Sequence, residues 1–143
     1  MTQPACARDT YTLFFDGCSK GNPGKSGAGA VLYKNTQEHW SKAHFVGEKQ
    51  TNNYAEYMGL IIGLEEAVRQ QVDTLAVKGD SLLVIKQMQG AYQVKSPSLL
   101  PLYNRARTLV KQIKTVTFAH VYRADNKRAD ALSNEALIVI ERS

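Results

Sequence analysis

Three stretches of strand-like sequence follow one another near the start of this 143-residue chain, and helical patterns appear only after them. The strands are predicted over residues 11–16, 28–33 and 39–46, where apolar and aromatic residues stand between turn-rich or polar segments. Strands joined so closely form antiparallel neighbours, whereas strands separated by a helix can pair in parallel. The predicted order βββαβααβα therefore indicates an α/β fold with a mixed sheet covered by helices.

The segment after the third strand has the clearest helical pattern. Its apolar residues recur with the spacing of one helix face, and they are Tyr54, Tyr57, Ile61, Leu64 and Val68. Residues that can cap a helix precede it, namely Thr51, Asn52 and Asn53. Further patterns predict a strand at 74–78, helices at 81–89 and 99–113, a strand at 115–121 and a final helix from Asn126.

Length and composition favour a single domain over residues 1–143, with a flexible tail at about residues 1–9 and a C-terminal extension at 138–143. Cys6 and Cys18 have neither metal-ligand spacing nor the pattern of a disulfide framework, which favours a reducing compartment. No apolar stretch reaches the roughly 18 residues of a membrane span, and the first residues do not resemble a signal peptide. We therefore expect a cytoplasmic monomer with no membrane contact and no obligate protein partner.

The formal net charge of +5 and the sequence pI of about 9.2 suit a polyanionic partner. Basic residues concentrate between positions 100 and 128, and Arg107, Lys111 and Lys114 have the spacing of a cationic stripe on a helix. A solvated helix face has the same pattern, so the stripe alone does not identify a phosphate-binding surface.

Four acidic residues stand where the predicted elements begin or end: Asp16, Glu56, Asp80 and Asp130. Each has an ordinary structural explanation, as a turn residue, a helix cap or an acid favoured by the helix dipole. Together they have another, because side chains at the ends of neighbouring elements converge on one edge of a sheet. Clustered carboxylates hold Mg²⁺ or Mn²⁺, so the functional prediction is a metal centre.

Four sequence blocks resemble type 1 ribonuclease H. They are FFDGCSKGNPGKSGAGAVLY at 14–33, TNNYAEYMGLIIGLEEA at 51–67, KGDSLLVIKQM at 78–88 and NKRADALSNEAL at 126–137. The resemblance implies the ribonuclease H-like fold, a five-stranded mixed sheet in the order 3-2-1-4-5 flanked by α-helices. It also implies an endoribonuclease that hydrolyses the RNA strand of RNA/DNA hybrids and leaves 5′-phosphate and 3′-hydroxyl products.

The resemblance assigns the catalytic, metal-binding acids to Asp16, Glu56, Asp80 and Asp130, the same four residues that stand at element ends. It implies two divalent ions per active site, Mg²⁺ with Mn²⁺ as a possible substitute, and a two-metal mechanism. Glu56 is expected to accept a hydrogen bond from the ribose 2′-hydroxyl that distinguishes RNA from DNA. Carboxyl groups held so close together are expected to titrate as a coupled set with at least one raised pKa.

The resemblance also implies contacts with the hybrid substrate. They are assigned to Ser19, Asn22, Thr51, Asn52 and Asn53, and, where the family's basic protrusion is missing, to Tyr92, Lys95 and Arg105. For the asparagines and the threonine, plain turn and helix-capping roles are equally open. Leu82 stands where a polar side chain often contacts RNA, so one minor-groove hydrogen bond is expected to be absent.

The segment HVYRADNKRAD departs from the better-known bacterial pattern, which has a glycine-containing loop with a mobile histidine before the final helix. Arg123 stands nearest that place and is the predicted catalytic replacement, in product release or in stabilising charge. A surface phosphate contact or a structural ion pair is an open alternative for Arg123. His120 is expected to be a core or edge residue of the last strand.

Two other functions remain open on the sequence. One is a hybrid-binding module without catalysis, which the intact set of acids disfavours because a pure binder gains affinity for phosphates by losing negative charges. The other is a nuclease of the same fold that acts mainly on double-stranded RNA or on DNA-linked ribonucleotides, since the chain departs from the family in its substrate-handling residues.

Overall fold

The computed structural model describes residues 9–142, with side chains up to residue 138. It contains five strands, which are Tyr11–Lys20 (β1), Gly24–Lys34 (β2), Gln37–Gln50 (β3), Thr74–Gly79 (β4) and Thr115–His120 (β5). They form one sheet in the order β3-β2-β1-β4-β5. The pairs β1–β2 and β2–β3 are antiparallel, and the pairs β1–β4 and β4–β5 are parallel. The predicted mixed sheet and its strand order are confirmed.

Four α-helices and one 3₁₀ turn complete the described chain. The helices are Asn52–Arg69 (α1), Leu82–Met88 (α2), Leu100–Val110 (α3) and Lys127–Arg142 (α4), and the 3₁₀ turn covers Arg123–Asp125. The hydroxyl of Thr51 accepts a hydrogen bond from the backbone N–H of Tyr54, and Ser81 caps α2 in the same way. These caps satisfy backbone donors that a helix start leaves unpaired, which explains where both helices begin.

The helices cover the two faces of the sheet unequally. Leu13 and Phe15 of β1 belong to a large core that β1, β4 and the helices α1, α2 and α3 enclose. On the predicted inward face of α1, the three central residues are buried and the two outer ones are partly buried. The opposite face of the sheet packs against α4 in a smaller cluster around Val31, Ala129 and Leu132. This arrangement leaves β1 at the centre of the sheet, with α1 on one face and α4 on the other.

The first strand is longer than predicted. Gly17 and the residues that follow it read as a turn, but β1 continues to Lys20 because it pairs with β2 as far as the partners Lys20 and Lys25. A continuous antiparallel ladder satisfies the backbone of these turn-forming residues, so their local preference does not decide the structure. Asp16 consequently lies within β1 and not at its end.

The predicted cationic stripe does not lie on one helix. α3 ends at Val110, so Lys111 and Lys114 lie beyond its last residue. The guanidinium of Arg107 turns inward and donates a hydrogen bond to the backbone carbonyl of Met88, 2.9 Å away. Of the three cations, Arg107 therefore stabilises the contact between α3 and α2.

The sequence predicts a flexible N-terminal tail and a C-terminal extension, and the structure describes only part of these two segments. Of the expected N-terminal tail, residues 1–8 lie outside the part of the chain that the structure describes. The segment expected to be a C-terminal extension continues α4 as far as Arg142. Among the described residues, no helix is both long enough and apolar enough to cross a lipid bilayer.

Candidate active site

Asp16 and Asp80 lie next to each other because the parallel pairing of β1 with β4 ends one residue before each of them. The last paired residues are Phe15 and Gly79. β1 and β4 are neighbouring parallel strands, so the residues that follow this pair lie at the same edge of the parallel part of the sheet. Asp16 is only 5% exposed there, although it carries a carboxyl group.

Two glycines allow α1 to bring Glu56 to this edge. A Cβ atom at Gly17 would lie 2.2 Å from the backbone carbon of Ala55, and one at Gly59 would lie 2.5 Å from the backbone oxygen of Asp16. Any side chain at either position would therefore push α1 away from β1. With the helix this close, one carboxylate oxygen from each of Asp16, Glu56 and Asp80 lies within 4.8 Å of the others. We call these three residues the carboxylate cluster.

The sequence analysis missed this role of Gly17 and Gly59. A signal was present, because Gly59 and Gly63 are four residues apart and therefore lie on the same side of α1. A Cβ atom at Gly63 would lie 2.4 Å from the side chain of Leu13 on β1. Two glycines at this spacing inside a strongly predicted helix indicate close packing, since glycine otherwise weakens a helix.

Asp130 approaches the carboxylate cluster from the first turn of α4. Asn126 fixes the start of that helix, because its buried side-chain amide donates a hydrogen bond of 2.9 Å to the backbone carbonyl of Phe15. The backbone carbonyl of Asn126 in turn accepts a hydrogen bond of 3.0 Å from the N–H of Asp130. In the sequence Asn126 is recognisable only as the start of a helix, and its hydrogen bond to the carbonyl of Phe15 was not predicted.

One cavity of about 260 Å³ contains the four predicted acids and the predicted catalytic arginine. Its lining consists of Asp16, Gly17, Cys18, Asn52, Glu56, Asp80, Arg123 and Asp130. Arg123 is 79% exposed in its side chain, and its Nη2 lies 3.8 Å from Oδ1 of Asp130. The ion pair that was an open alternative for Arg123 is thus present, and it leaves most of the guanidinium accessible from the cavity.

Burial and neighbouring negative charges raise the pKa values of Asp16 and Glu56. Desolvation, followed by the negative charge of Asp80, raises the pKa of Asp16 to about 7. Desolvation also raises the pKa of Glu56 well above its usual value, and the charge of Asp16 is the next cause. Three carboxylates this close cannot all be ionised near neutral pH without a compensating cation.

The same residues fit a divalent cation. Oε1 of Glu56 is buried and has no hydrogen-bond partner among the described atoms. An unpaired buried carboxylate oxygen is costly, and coordination to a cation would satisfy it. The cluster offers oxygen ligands alone, which suits the hard ions Mg²⁺ and Mn²⁺ better than a soft metal.

The ordinary explanations fail for three of the acids. Asp16 lies within β1 and not in a turn, so its place in the cavity is what explains it. Glu56 lies beyond the first turn of α1, which contains no acidic residue, so the helix dipole does not account for it. The cap of α2 is Ser81 and not Asp80. Asp130 does occupy the first turn of its helix. For Glu56 and Asp80 the shared cavity is therefore the explanation that remains.

A second depression, with a larger volume of about 500 Å³, lies beside the cavity along the start of α1. We call it the polar groove, and its lining is Asn22, Thr51, Asn53, Leu83, Gln87, Gln93, Lys95, Ser96, Ser98 and Leu99. Asn52, between two of these residues, lines the cavity instead. The groove and the cavity thus adjoin at the first residues of α1.

The predicted substrate residues at this junction hold one another in place. The side-chain oxygen of Asn22 accepts a hydrogen bond of 2.9 Å from the backbone N–H of Asn52. The side-chain oxygen of Asn52 accepts one of 2.7 Å from the N–H of Ser19, whose hydroxyl donates to the carbonyl of Gln50. The turn after β1 and the start of α1 are therefore bound together, and the turn and capping roles of Asn22 and Thr51 are present.

Four other residues discussed in the sequence analysis are not among the described residues that line the cavity or the polar groove. They are Tyr92, Arg105, Leu82 and His120. Arg105 forms an exposed ion pair with Glu65 at 3.0 Å. Leu82 is exposed directly after the capping residue Ser81, and His120 is an exposed residue of the edge strand β5, as expected.

The fold and the site define a ribonuclease H-like α/β domain, and comparison with known proteins agrees. A family model described as reverse transcriptase-like matches residues 14–136. Ribonuclease HI of Halobacterium salinarum is 42% identical over 124 residues, which cover 87% of this chain and 62% of that protein. The chain belongs to the ribonuclease H family.

Solved structures agree with this assignment over most of the chain. The N-terminal RNase H domain of Rv2228c from Mycobacterium tuberculosis has a TM-score of 0.88 and 39% identity, and the match covers 93% of this chain and 96% of that one. LC11-RNase H1 in complex with an RNA/DNA hybrid has a TM-score of 0.83 and 32% identity, with 89% and 96% covered.

Some curated relatives are considerably longer than the matched region. The bifunctional protein Rv2228c of Mycobacterium tuberculosis is 44% identical over 126 residues, which cover 85% of this chain but 34% of that protein. The shared region is thus about a third of the mycobacterial protein and about two-thirds of the halobacterial one.

Proposed function

We propose that this protein is a metal-dependent endonuclease that hydrolyses the RNA strand of RNA/DNA hybrids and leaves 5′-phosphate and 3′-hydroxyl ends. The observation that carries the proposal is the carboxylate cluster, whose oxygens approach within 4.8 Å in a chain with a net charge of +5. A net cationic protein that gathers buried acids at one point must compensate them, and a divalent cation does so. The hybrid bound to LC11-RNase H1 supports the choice of substrate.

Asp16, Glu56 and Asp80 would hold the cations, with Asp130 as a further ligand on the α4 side. When bound, a pair of divalent ions supplies Lewis-acid chemistry, which lowers the pKa of the attacking water and neutralises charge on the leaving oxygen. We propose Mg²⁺, with Mn²⁺ as a substitute, because both prefer carboxylate oxygens. The protein's part is to fix the ligand positions through the close contact of α1 with β1.

The remaining cavity residues orient the substrate. Glu56 lines the cavity, and its carboxylate would accept a hydrogen bond from a ribose 2′-hydroxyl and so select RNA. Arg123, exposed beside Asp130, can pair with the phosphate on either side of the cleaved linkage and favour departure of the product. Ser19 supports this arrangement indirectly, because its hydroxyl holds the backbone at Gln50, just before α1.

The polar groove would bind the DNA strand. Thr51, Asn53 and Lys95 present a hydroxyl, an amide and an ammonium to this depression, which are groups that bind phosphate and sugar oxygens. Asn22 and Asn52 stand where the groove meets the cavity and can reach the minor groove of the hybrid. A duplex placed in this way has its RNA strand over the carboxylates and its DNA strand in the groove.

Cleavage assays with end-labelled substrates test the proposal. RNA/DNA hybrid, double-stranded RNA and double-stranded DNA are each incubated with Mg²⁺, Mn²⁺ or EDTA. We expect cleavage of the RNA in the hybrid with either metal and none with EDTA, and end-group analysis should give 5′-phosphates. Hybrid binding without metal-dependent cleavage would replace the nuclease with a binding module, and preferential cleavage of double-stranded RNA would replace the substrate.

Asp16→Asn is the matched variant for the same assay. The substitution keeps the size of the side chain but removes the charge that Asp16 contributes to the cluster. We expect cleavage to fall by about a thousandfold or more, since removal of one essential group typically costs that much, while the circular dichroism spectrum is unchanged. Full activity of Asp16→Asn would contradict the assignment of this ligand.

We further propose that the protein acts as a cytoplasmic monomer. The free thiol of Cys18 supports a reducing compartment, since thiols persist there. Sedimentation at micromolar concentration and cell fractionation test these two points.

A further inference from the structure

The most exposed large apolar side chain among the described residues belongs to Tyr122. It is 76% exposed, whereas the other exposed apolar residues of this size range from 43% to 46%. Its ring makes a T-shaped contact with the ring of His120, with centroids 5.6 Å apart and planes at 80°. The core therefore does not bury this ring, which is accessible to another molecule.

Tyr122 stands beside the cavity of the carboxylate cluster. His120 is the strand partner of Gly79, and the N–H of Val121 donates a hydrogen bond of 2.9 Å to the carbonyl of Gly79, the residue before Asp80. On the other side of Tyr122, the next residue is Arg123, which lines the cavity. The backbone therefore places Tyr122 between two residues of the cavity, Asp80 through the hydrogen bond of Val121 to Gly79 and Arg123 as its neighbour in sequence.

The backbone presents this ring in a defined position. The carbonyl of Tyr122 accepts a hydrogen bond of 2.8 Å from the N–H of Asp125, which closes the 3₁₀ turn. The turn leads into Asn126, whose side chain is bonded to the carbonyl of Phe15 inside the sheet. An aromatic group on such a segment has few torsions left to order, so it can bind a ligand at little entropic cost.

The strand order separates Tyr122 from the part of the polar groove that Asn22 and Thr51 line. β5 is the edge strand on one side of β1, whereas β2 and β3, whose ends carry Asn22 and Thr51, lie on the other side. Asp16 on β1 stands between them. A duplex whose DNA strand occupies the groove and whose RNA strand crosses the carboxylates therefore has its RNA strand nearest to the end of β5.

We propose that Tyr122, steadied by His120, packs its ring against a ribose of the RNA strand next to the cleaved linkage and thereby contributes to substrate affinity. This inference rests on the proposed hybrid cleavage. The faces of paired bases are covered by their neighbours, whereas the riboses of an A-like duplex are accessible along the wide minor groove. Arg123, the next residue, would contact a phosphate of the same strand.

Steady-state cleavage of a defined hybrid by Tyr122→Ala and Tyr122→Phe tests this contact. We expect Tyr122→Ala to raise KM about fivefold or more, as aromatic contacts with nucleotides do on truncation, and to leave kcat within about twofold. Tyr122→Phe keeps the ring and should stay within about twofold of the wild type in both constants. Ile138→Ala, which truncates an exposed apolar residue two helical turns beyond Asp130 on α4, is the control and should change neither constant.

Shortened hybrids locate the contact. When the hybrid is trimmed from one end at a time, the defect of Tyr122→Ala should disappear on one side once the contacted nucleotide is gone, because the wild type then loses the same interaction. The melting temperature of Tyr122→Ala should match that of the wild type, since the ring is mostly in water.

Three results would overturn the inference. They are an unchanged KM in Tyr122→Ala, an equal defect in Tyr122→Phe, which would assign the effect to the hydroxyl, and a defect that persists on every trimmed substrate. A wild type that cleaves no hybrid would instead refute the proposed function, and the two failures are therefore distinguishable.

Discussion

The carboxylate cluster and the polar groove adjoin, yet the fold builds them in different ways. The cluster is formed by the buried carboxyl groups of Asp16 on β1 and Glu56 on α1 and by the half-buried one of Asp80 after β4, and glycines at the contact of α1 with β1 set the distances. The groove is lined mainly by exposed residues of turns, a helix start and the loop between α2 and α3. Chemistry at a phosphate requires fixed ligands, whereas binding of a polymer tolerates adjustable contacts. Substitutions in the two regions should therefore differ in size and in the constant that they change.

Among substitutions that leave every carboxylate in place, Gly17→Ala should lower kcat the most. The new Cβ atom would lie 2.2 Å from the backbone of Ala55, so α1 must move away from β1 and carry Glu56 with it. A displacement of about 1 Å at a catalytic group costs about a hundredfold in rate, and we expect at least this loss in kcat.

Gly47→Ala is the matched control for Gly17→Ala. Its Cβ atom would meet only the side chain of Gln50, at 3.2 Å, which is free to move. Activity and melting temperature should both stay near the wild-type values. If Gly17→Ala retains full kcat, the glycine contact does not set the position of Glu56.

Asp16→Asn should also raise the melting temperature in the absence of metal, because burial and the charge of Asp80 disfavour the ionised carboxylate of Asp16 in the folded protein. The folded-state pKa of Asp16 is raised from 3.8 to about 7, so its stabilising contribution is complete below pH 3.8 and is lost as the pH rises through about 7. In EDTA at pH 8 we expect the variant to melt about 5 °C or more above the wild type.

The difference between wild type and Asp16→Asn should shrink at pH 5, where Asp16 is protonated in the folded protein. Millimolar Mg²⁺ at pH 8 should reverse its sign, since the cation stabilises only the folded state with an intact cluster. Thermal melts in three conditions, namely pH 8 with EDTA, pH 5, and pH 8 with Mg²⁺, measure both effects. If the wild type and Asp16→Asn melt at the same temperature in EDTA at pH 8, the ionised carboxylate of Asp16 does not destabilise the folded protein.

Lys95→Ala should have a smaller and different effect, because it removes one exposed charge from the groove. We expect KM for the hybrid to rise a few-fold with kcat unchanged, and the slope of log affinity against log salt to fall by about one. Lys114→Ala is the matched control, since Lys114 precedes β5 at the end of that strand away from the cavity. A lowered kcat in Lys95→Ala would mean that the groove also positions the reacting phosphate.

Arg105→Ala should have the smallest effect. Arg105 and Glu65 are 50% and 47% exposed, and such surface pairs contribute about 0–1 kcal/mol. We expect KM, kcat and the salt slope to match the wild type within about twofold. A KM defect as large as that of Lys95→Ala would restore Arg105 to the substrate surface.

The comparison of these two regions also separates what could be predicted from what could not. Asp16 and Asp80 were identified from strand-end positions and from the resemblance, although β1 proved longer than its local sequence indicates. The inward face of α1 followed from apolar periodicity alone. Arg107 illustrates the limit, because its helical spacing indicated a solvated or phosphate-binding stripe while the guanidinium in fact binds the carbonyl of Met88.

Local patterns and short motifs are enough to predict the order of strands and helices, a capping residue before α1 among Thr51, Asn52 and Asn53, and the family. Three features came from the packing of whole elements: Gly17 and Gly59 let α1 approach β1, Asn126 anchors α4 to β1, and Tyr122 is exposed beside the cavity. Distances between segments remote in sequence, and the pKa values that burial produces, depend on how whole elements pack. No local pattern contains that information.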